Sequence, residues 1–323
     1  MYIKVYRSSE RIDRKMMMIL NTRIGRTILF YLCCIVVIQA KKNNNNIFFG
    51  FYDDPEGDAV ATAGANVIIT EKINTITKKI DGIQPVVFFR TENTFLKHIG
   101  TGKTRIPNPN WKEEWEKLRI QLNPFVKNQT IAGFFLGDEL LCACVTLEFI
   151  EVMAKTVVEA YPNTNIWYNE GSGEVVKPSK CTNATQFFIP SHVSLFSTDI
   201  YHYSYEPGWV STTIKKYYNS YIFPLLDPTT QQAAFVPGSF SSTTGGPKDQ
   251  PCNSTCYREM IMQDAEEYFK WAKEDTRIGG IFPWHWQSCK TNPDCVKHFD
   301  EVGTVDMPEV IAKWKDLATD NII

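Results

Sequence analysis

A chain of 323 residues with a formal net charge of −2 and a sequence pI near 6.2 carries no basic stripe, and beyond isolated Lys pairs it has no block of one sign, which excludes nucleic acid as a natural partner. The length suits one large domain and leaves no room for a second of ordinary size. Aromatic residues make up 13%, with 8 Trp and 14 Tyr, more than a core alone explains when several of them stand at the ends of apolar runs.

The chain opens on a targeting pattern. Arg23 and Arg26 precede an apolar run over 28–38 that includes Cys33 and Cys34, and the run closes at Gln39–Ala40 before Lys41 and Lys42. A positive stretch, an apolar stretch and a small residue at the cut describe a signal peptide over 1–40. The run is shorter than the roughly 20 residues of a membrane span, so cleavage is expected rather than anchoring, with an uncleaved anchor as the lesser alternative. Met16, Met17 or Met18 as the true start would bring the leader into the usual range of about 15–30 residues. Residues 41–46 form an Asn-rich linker.

Eight short β-prone runs follow, over 47–53, 65–70, 85–92, 131–139, 165–170, 193–201, 233–240 and 278–286, each stopping in polar or aromatic residues. Apolar residues at three- and four-residue spacing predict helices over 111–122, 145–161, 209–225, 257–275 and 308–317. Strands that alternate with helices imply parallel β-α-β units, because parallel strands need a crossover. The runs are nearly continuous in apolar residues, as expected where both faces are covered. The prediction for 47–323 is therefore an α/β fold, a single (β/α)₈ TIM barrel with its chemistry at the C-terminal strand ends. An open doubly wound sheet is the alternative.

Of the nine Cys, seven follow the leader, all in or next to the loops after strands four, five, seven and eight. That distribution suits disulfides in an oxidising compartment. The expected pairs are Cys142 with Cys181, Cys252 with Cys256 and Cys289 with Cys295, leaving Cys144 as a buried thiol. No pair of CxxC knuckles and no His pair stands nearby, so no metal is expected. Sequons at Asn128, Asn183 and Asn253 agree with a secreted glycoprotein.

The run over 131–139 ends in Gly137, Asp138 and Glu139, an apolar strand delivering two carboxylates to its own C-terminal end. Side by side they would point to opposite faces of the pleat, unless the strand is already turning into its loop. The bland alternative is that they cap the following helix. Gly137–Asp138–Glu139 resembles the Gly-Asp-Glu of the exo-β-N-acetylhexosaminidases, in which the Asp orients the substrate's acetamide as internal nucleophile and the Glu is the acid/base. It is also similar to the Asn-Glu at the same strand end in the retaining barrel glycosidases. The resemblance implies a glycoside hydrolase acting on O-glycosidic bonds, with Glu139 as general acid/base and Asp138 as its partner. Phe135 and Leu136 stand where the hexosaminidases have His and a further Gly, and 235–240 carries no nucleophilic Glu at the end of strand seven. The two-glutamate retaining mechanism is therefore disfavoured.

Other strand ends supply candidates for binding a polyhydroxylated ligand: Asp53, Arg90, Glu92, Tyr168, Glu170, Asp199, Tyr201, Trp284 and Trp286. Trp284 and Trp286 alternate, which predicts both indoles on one side as a stacking floor, while Arg90 and Glu92 have a structural ion pair as their alternative. Neither Gly171–Ser172–Gly173 nor Gly245–Gly246 has phosphate-binding spacing, and no Gly-x-Ser-x-Gly elbow is present, so neither a nucleotide cofactor nor serine hydrolysis is expected. The alternative function is a catalytically inactive, lectin-like barrel that binds glycans, because fold does not determine function.

Overall fold

The computed structural model describes residues 47–51, 60–77, 86–100, 103–201, 208–242, 254–286, 288 and 301–322. The leader, the linker, Asp53, Cys252, Cys289, Cys295 and Asn253 lie outside them.

Eight strands form one parallel sheet: β1 (Phe48–Phe49), β2 (Val67–Thr70), β3 (Val86–Arg90), β4 (Ile131–Asp138), β5 (Asn165–Gly171), β6 (Leu195–Asp199), β7 (Gln232–Val236) and β8 (Ile278–Ile281). Each overlaps one of the eight expected runs. They are hydrogen-bonded in the order β1-β8-β7-β6-β5-β4-β3-β2, so the ends of the series are strands consecutive in the chain. Between those ends the described residues form no ladder, and Asn66 spans them instead. Its side chain accepts the Phe49 N–H at 2.7 Å and donates to the Ile47 carbonyl at 2.9 Å, and its own N–H donates to the Phe49 carbonyl at 2.8 Å.

Side-chain parity sorts the core into two clusters. Val67, Ile69, Phe88, Phe135, Trp167, Leu195, Ala234, Val236 and Phe282 pack with one another on one face. Ile68, Phe134, Leu136, Ile166, Tyr168, Phe196, Ala233 and Phe235 belong to the cluster that includes the helices. The Phe48 and Phe88 rings meet at 5.3 Å, although β1 and β3 stand six places apart in the ladder. In a flat sheet that separation would be about 29 Å at roughly 4.8 Å per strand. The sheet is therefore curled, with the first cluster inside and the helix-facing cluster outside. Phe88 also meets Phe282 at 5.9 Å, and Phe282 stacks on Trp167 at 4.0 Å.

Helices α1 (Trp111–Lys127) and α2 (Leu147–Ala160) flank β4, and α3 (Ser254–Glu274) and α4 (Pro308–Ile322) flank β8. The Thr146 hydroxyl accepts the Phe149 N–H at 3.3 Å and caps α2. Helix α1 runs past Pro124, which lies in its last turn. The segment from Val210 to Leu225 is not a regular α-helix: π turns at Val210–Ile214 and Tyr218–Ile222 flank a single α turn. Val210, Ile214, Tyr218 and Ile222 are all buried at a strict four-residue repeat. An α-helix of 3.6 residues per turn would rotate that row off the sheet, and the wider π turns keep it facing inward.

A disulfide joins Cys144 to Cys181, with Cα atoms 5.4 Å apart, and Cys142 is an exposed free thiol. The expected Cys142–Cys181 pair is thus corrected by one position in alternation. Buried Ala143 and Val145 fix the loop so that Cys142 points to solvent, while Cys144, at φ 67°, turns back toward the loop after β5. Cys256 is also disulfide-bonded.

Candidate active site

The end of β4 is built by a register slip. Phe135 pairs with Trp167, but the next pair is Asp138 with Asn169, three residues on β4 against two on β5. Strict alternation from the inward Phe135 would send Gly137 and Glu139 inward. The extra residue instead turns Asp138 inward. Gly137 takes φ 153°, and a Cβ there would lie 2.6 Å from Glu92 Oε2, so only glycine fits this bulge.

Asp138 meets a hydrogen-bond chain that rises through the inside of the sheet. The Trp167 indole N–H, a donor only, binds Ser197 Oγ at 2.8 Å, and the Ser197 hydroxyl donates to Asn169 Oδ1 at 2.6 Å. That orients the Asn169 amide nitrogen upward, where it donates to Asp138 Oδ1 at 2.7 Å and to Asp199 Oδ1 at 2.9 Å. The two carboxylate oxygens are therefore no more than about 5.6 Å apart, the two bonds laid end to end. Burial, then the nearby Asp138 charge, pushes the Asp199 carboxyl well above its usual range, against hydrogen bonds from Asn169 and Tyr201 that pull it down. Such coupled groups titrate as a pair.

Glu139 leaves the strand at φ 46°, its N–H donating to the Asn169 carbonyl at 3.1 Å. Its carboxylate lies over Gly171, where a Cβ would come within 3.3 Å of Oε1. The side chain is 38% exposed, with the Lys103 ammonium 3.9 Å away. Burial and then the Asp138 charge raise its pKa, and Lys103 and Arg105 oppose the shift. A carboxyl that is half-covered yet open to solvent beside a second carboxylate has the environment of a proton donor.

Around these acids stand Arg90, whose guanidinium lies 5.7 Å from the Phe135 ring centroid, and an aromatic wall beside Asp199. Tyr201 stacks on Trp284 at 5.2 Å, and the Phe240 edge meets Trp284 at 5.0 Å. Trp284 bridges to Gly238 at the end of β7.

Three residues expected at this mouth lie elsewhere. Because Trp167 and Asn169 face inward, Tyr168 and Glu170 face outward, both fully buried. Glu170 accepts the Tyr168 hydroxyl, the Leu141 N–H at 2.9 Å and the Gly171 N–H at 3.0 Å, and burial still pushes its pKa up to about 8. Trp286 packs against Phe51 at 4.8 Å in the outer cluster. The expected alternation of Trp284 with Trp286 is corrected: β8 ends at Ile281, and the chain beyond Pro283 is no longer an extended strand. Glu92 is paired with Arg105 at 2.9 Å. The residues missed in the sequence are Asn169, Ser197 and Arg105. Parity with Trp167 and Asp199 was the available signal for the first two, since both lie two positions from a residue of the inner face.

At the end of β7 no carboxylate enters the mouth among the described residues. Ser239 is fully buried, its hydroxyl bound to Thr304 at 2.7 Å and to the Trp314 indole N–H at 3.1 Å. Asn128 and Asn183 are exposed at turns. Among the described residues no helix is long and apolar enough to cross a membrane, and no group of three or more His, Cys, Asp or Glu is arranged to hold a metal ion.

Fold and site together define an α/β protein whose curled parallel sheet gathers carboxylates at its strand C-termini. No family model and no curated protein matches the chain. Among solved structures it is similar to glycoside hydrolases. Xylanase 10B from Thermotoga maritima is 13% identical, with 88% of this chain and 98% of that chain covered at a TM-score of 0.45. A GH2 beta-galacturonidase from Eisenbergiella tayi is 14% identical over 81% of this chain and 46% of its own, at 0.49. Xylanase XynB from Paenibacillus barcinonensis is 12% identical over 81% and 92%, at 0.44. The chain spans about half the length of the galacturonidase. At these identities and scores the likeness does not bear on chemistry, which rests on the site itself.

Proposed function

We propose that this chain is a secreted glycoside hydrolase of O-glycosidic bonds, with Glu139 as general acid/base and Asp138 as its partner. The observation that carries this reading is the gathering of Asp138 and Glu139, at the C-terminal end of β4, with Asp199, at that of β6, on either side of Asn169 of β5, whose amide binds both aspartates. Glycosidic cleavage needs one carboxylic acid to protonate the leaving oxygen and another carboxylate to stabilise the positive charge that grows at the sugar. Glu139, with its raised pKa and partial exposure, supplies the proton. As the bond from the anomeric carbon to oxygen breaks, the acetamide oxygen of a 2-acetamido sugar closes on that carbon. Asp138 accepts the acetamide N–H and stabilises the charge. Glu139, now ionised, takes a proton from the water that opens the ring and is restored.

Arg90, Tyr201, Trp284 and, outside the described residues, Asp53 line the sugar site in this reading, and the sheet closes through Asn66 into a (β/α)₈ barrel over 47–323. Residues 1–40 are a leader and 41–46 a connector. The Cys144–Cys181 disulfide and the exposed Asn128 and Asn183 support passage through an oxidising, glycosylating compartment.

The test is hydrolysis of a broad panel of aryl glycosides by the mature protein and by Glu139→Gln. The variant is expected to lose at least about two orders of magnitude on substrates with poor leaving groups, the range of general acid catalysis, and to keep sugar binding. The second reading, a glycan-binding barrel without hydrolysis, is favoured by the end of β7, where a buried Ser239 stands instead of a nucleophilic acid. Glycan binding with no turnover, unchanged in Glu139→Gln, would establish it.

A further inference from the structure

We propose that the Glu92–Arg105 ion pair is a positioning clamp that holds Asp138 and Glu139 in their reactive arrangement, rather than a contact for sugar. This rests on the glycosidase reading above. The Arg105 guanidinium donates from one nitrogen to Glu92 Oε2 at 2.9 Å and to the Asp138 carbonyl at 3.3 Å. The Glu92 carboxylate accepts the Asp138 N–H. Both backbone polar groups of Asp138 are thus taken by the two halves of one ion pair.

The same arginine holds the far side of the loop. Its backbone N–H donates to the Ala143 carbonyl at 2.8 Å, so Arg105 grips the chain on either side of Glu139. Glu139 sits between these grips at φ 46°, a left-handed conformation that a non-glycine residue keeps only where its surroundings impose it. Glu92 Oε2 also occupies the space a side chain on Gly137 would need, so the carboxylate seats directly on the bulge that turns Asp138 inward.

Burial argues against a ligand contact. The Arg105 and Glu92 side chains are 19% and 15% exposed, and their facing polar atoms are engaged with each other and with Asp138. Arg105 reaches this place because the short antiparallel hairpin of Leu96–His98 with Arg105–Pro107 folds over the end of β4. A sugar hydroxyl that accepted from Arg105 Nη1 or donated to Glu92 Oε2 would compete with the grip on Asp138.

The experiment compares wild type with Arg105→Met and Arg105→Lys on the aryl glycoside that wild type hydrolyses fastest, across pH. Arg105→Met is expected to lower kcat at least about 30-fold with KM within about threefold, and to move the basic limb of the kcat/KM profile upward, because the guanidinium charge pulls the Glu139 carboxyl down. Arg105→Lys restores a cation that can reach both acceptors, and is expected to recover most of the loss. Activity of Arg105→Met close to wild type, two equally impaired variants, or a rise in KM without a fall in kcat would each overturn the clamp. Should Arg105→Met fail to fold, Glu92→Gln takes its place, with a tenfold or greater fall in kcat expected and an unchanged kcat overturning the proposal.

If wild type hydrolyses no glycoside, the glycosidase reading fails while the clamp is still tested. Cys142 is an exposed thiol between the gripped positions 138 and 143, and its alkylation by iodoacetamide in the native protein reports on that loop. The clamp predicts at least about fivefold faster alkylation in Arg105→Met and a near wild-type rate in Arg105→Lys. Equal rates in all three would sink it.

Discussion

Asp138 and Asp199 bind the same nitrogen, Asn169 Nδ2, although they come from β4 and β6, which β5 separates. Two carboxylates held this close repel when both are ionised, and the pair retains a proton at pH values where isolated acids have lost theirs. Asn169 offers both acids a donor, and the Trp167–Ser197 chain below it prevents its amide from turning the other way.

Asn169→Ala removes that donor and leaves the Ser197 hydroxyl without its acceptor. A loss of stability of about 2 kcal/mol is expected from the broken buried hydrogen bonds. With the donor gone the Asp199 carboxyl holds its proton more tightly than in wild type, so the stability deficit grows as pH rises through its folded pKa. Urea unfolding should therefore show a larger deficit at pH 8 than at pH 5, and an equal deficit at both would contradict the coupling.

Asp138→Asn keeps the shape of the side chain and removes its charge. Turnover is expected to fall at least about tenfold on 2-acetamido glycosides and by less on the corresponding plain sugars, because only the former use an acetamide that Asp138 orients. Steady-state kinetics on a matched pair of aryl glycosides decides this, and equal losses would remove the acetamide from the mechanism.

Glu170 makes the protein's stability depend on pH in an unusual direction. Its folded pKa of about 8 lies above the ordinary glutamate value, so the folded state binds the extra proton between these limits. Its contribution is complete below the unfolded pKa and is lost as pH climbs toward 8, at no more than about 1.4 kcal/mol per unit. Glu170→Gln preserves an acceptor for the Leu141 N–H and should flatten the fall in unfolding free energy between pH 5 and 8. A variant with the wild-type slope would show that Glu170 titrates normally.

The disulfide assignment separates two cysteines that are two residues apart. Cys144→Ala opens the bridge to Cys181 and should cost about 2–4 kcal/mol, the usual contribution of a bridge that closes a loop of this size. Cys142→Ala should stay within about 0.5 kcal/mol of wild type, as an exposed residue does. Peptide mapping under non-reducing conditions provides the direct check, and a fragment linking 142 to 181 would reverse the assignment.

Strand positions were legible in the amino-acid order because each strand buries both faces, so apolar residues run almost unbroken and stop where the chain leaves the sheet, as at 131–138 and 195–199. The pair Asp138–Glu139 was legible for the same reason: acids directly after such a run must sit at a strand end. What each acid faces was decided only in three dimensions. One extra residue at Leu136–Gly137 exchanges inside for outside, and the space for that bulge is bounded by Leu140 and by Glu92, which is distant in sequence. The same holds for Tyr168, Glu170 and Trp286, which share strand ends with site residues but fall on the opposite side of the sheet. Asn169 bridges three strands, and that role exists only once β4 and β6 pair in register on either side of β5. Local periodicity specifies which residues form strands, whereas register, bulge and curvature depend on contacts between segments that the order of residues does not bring together.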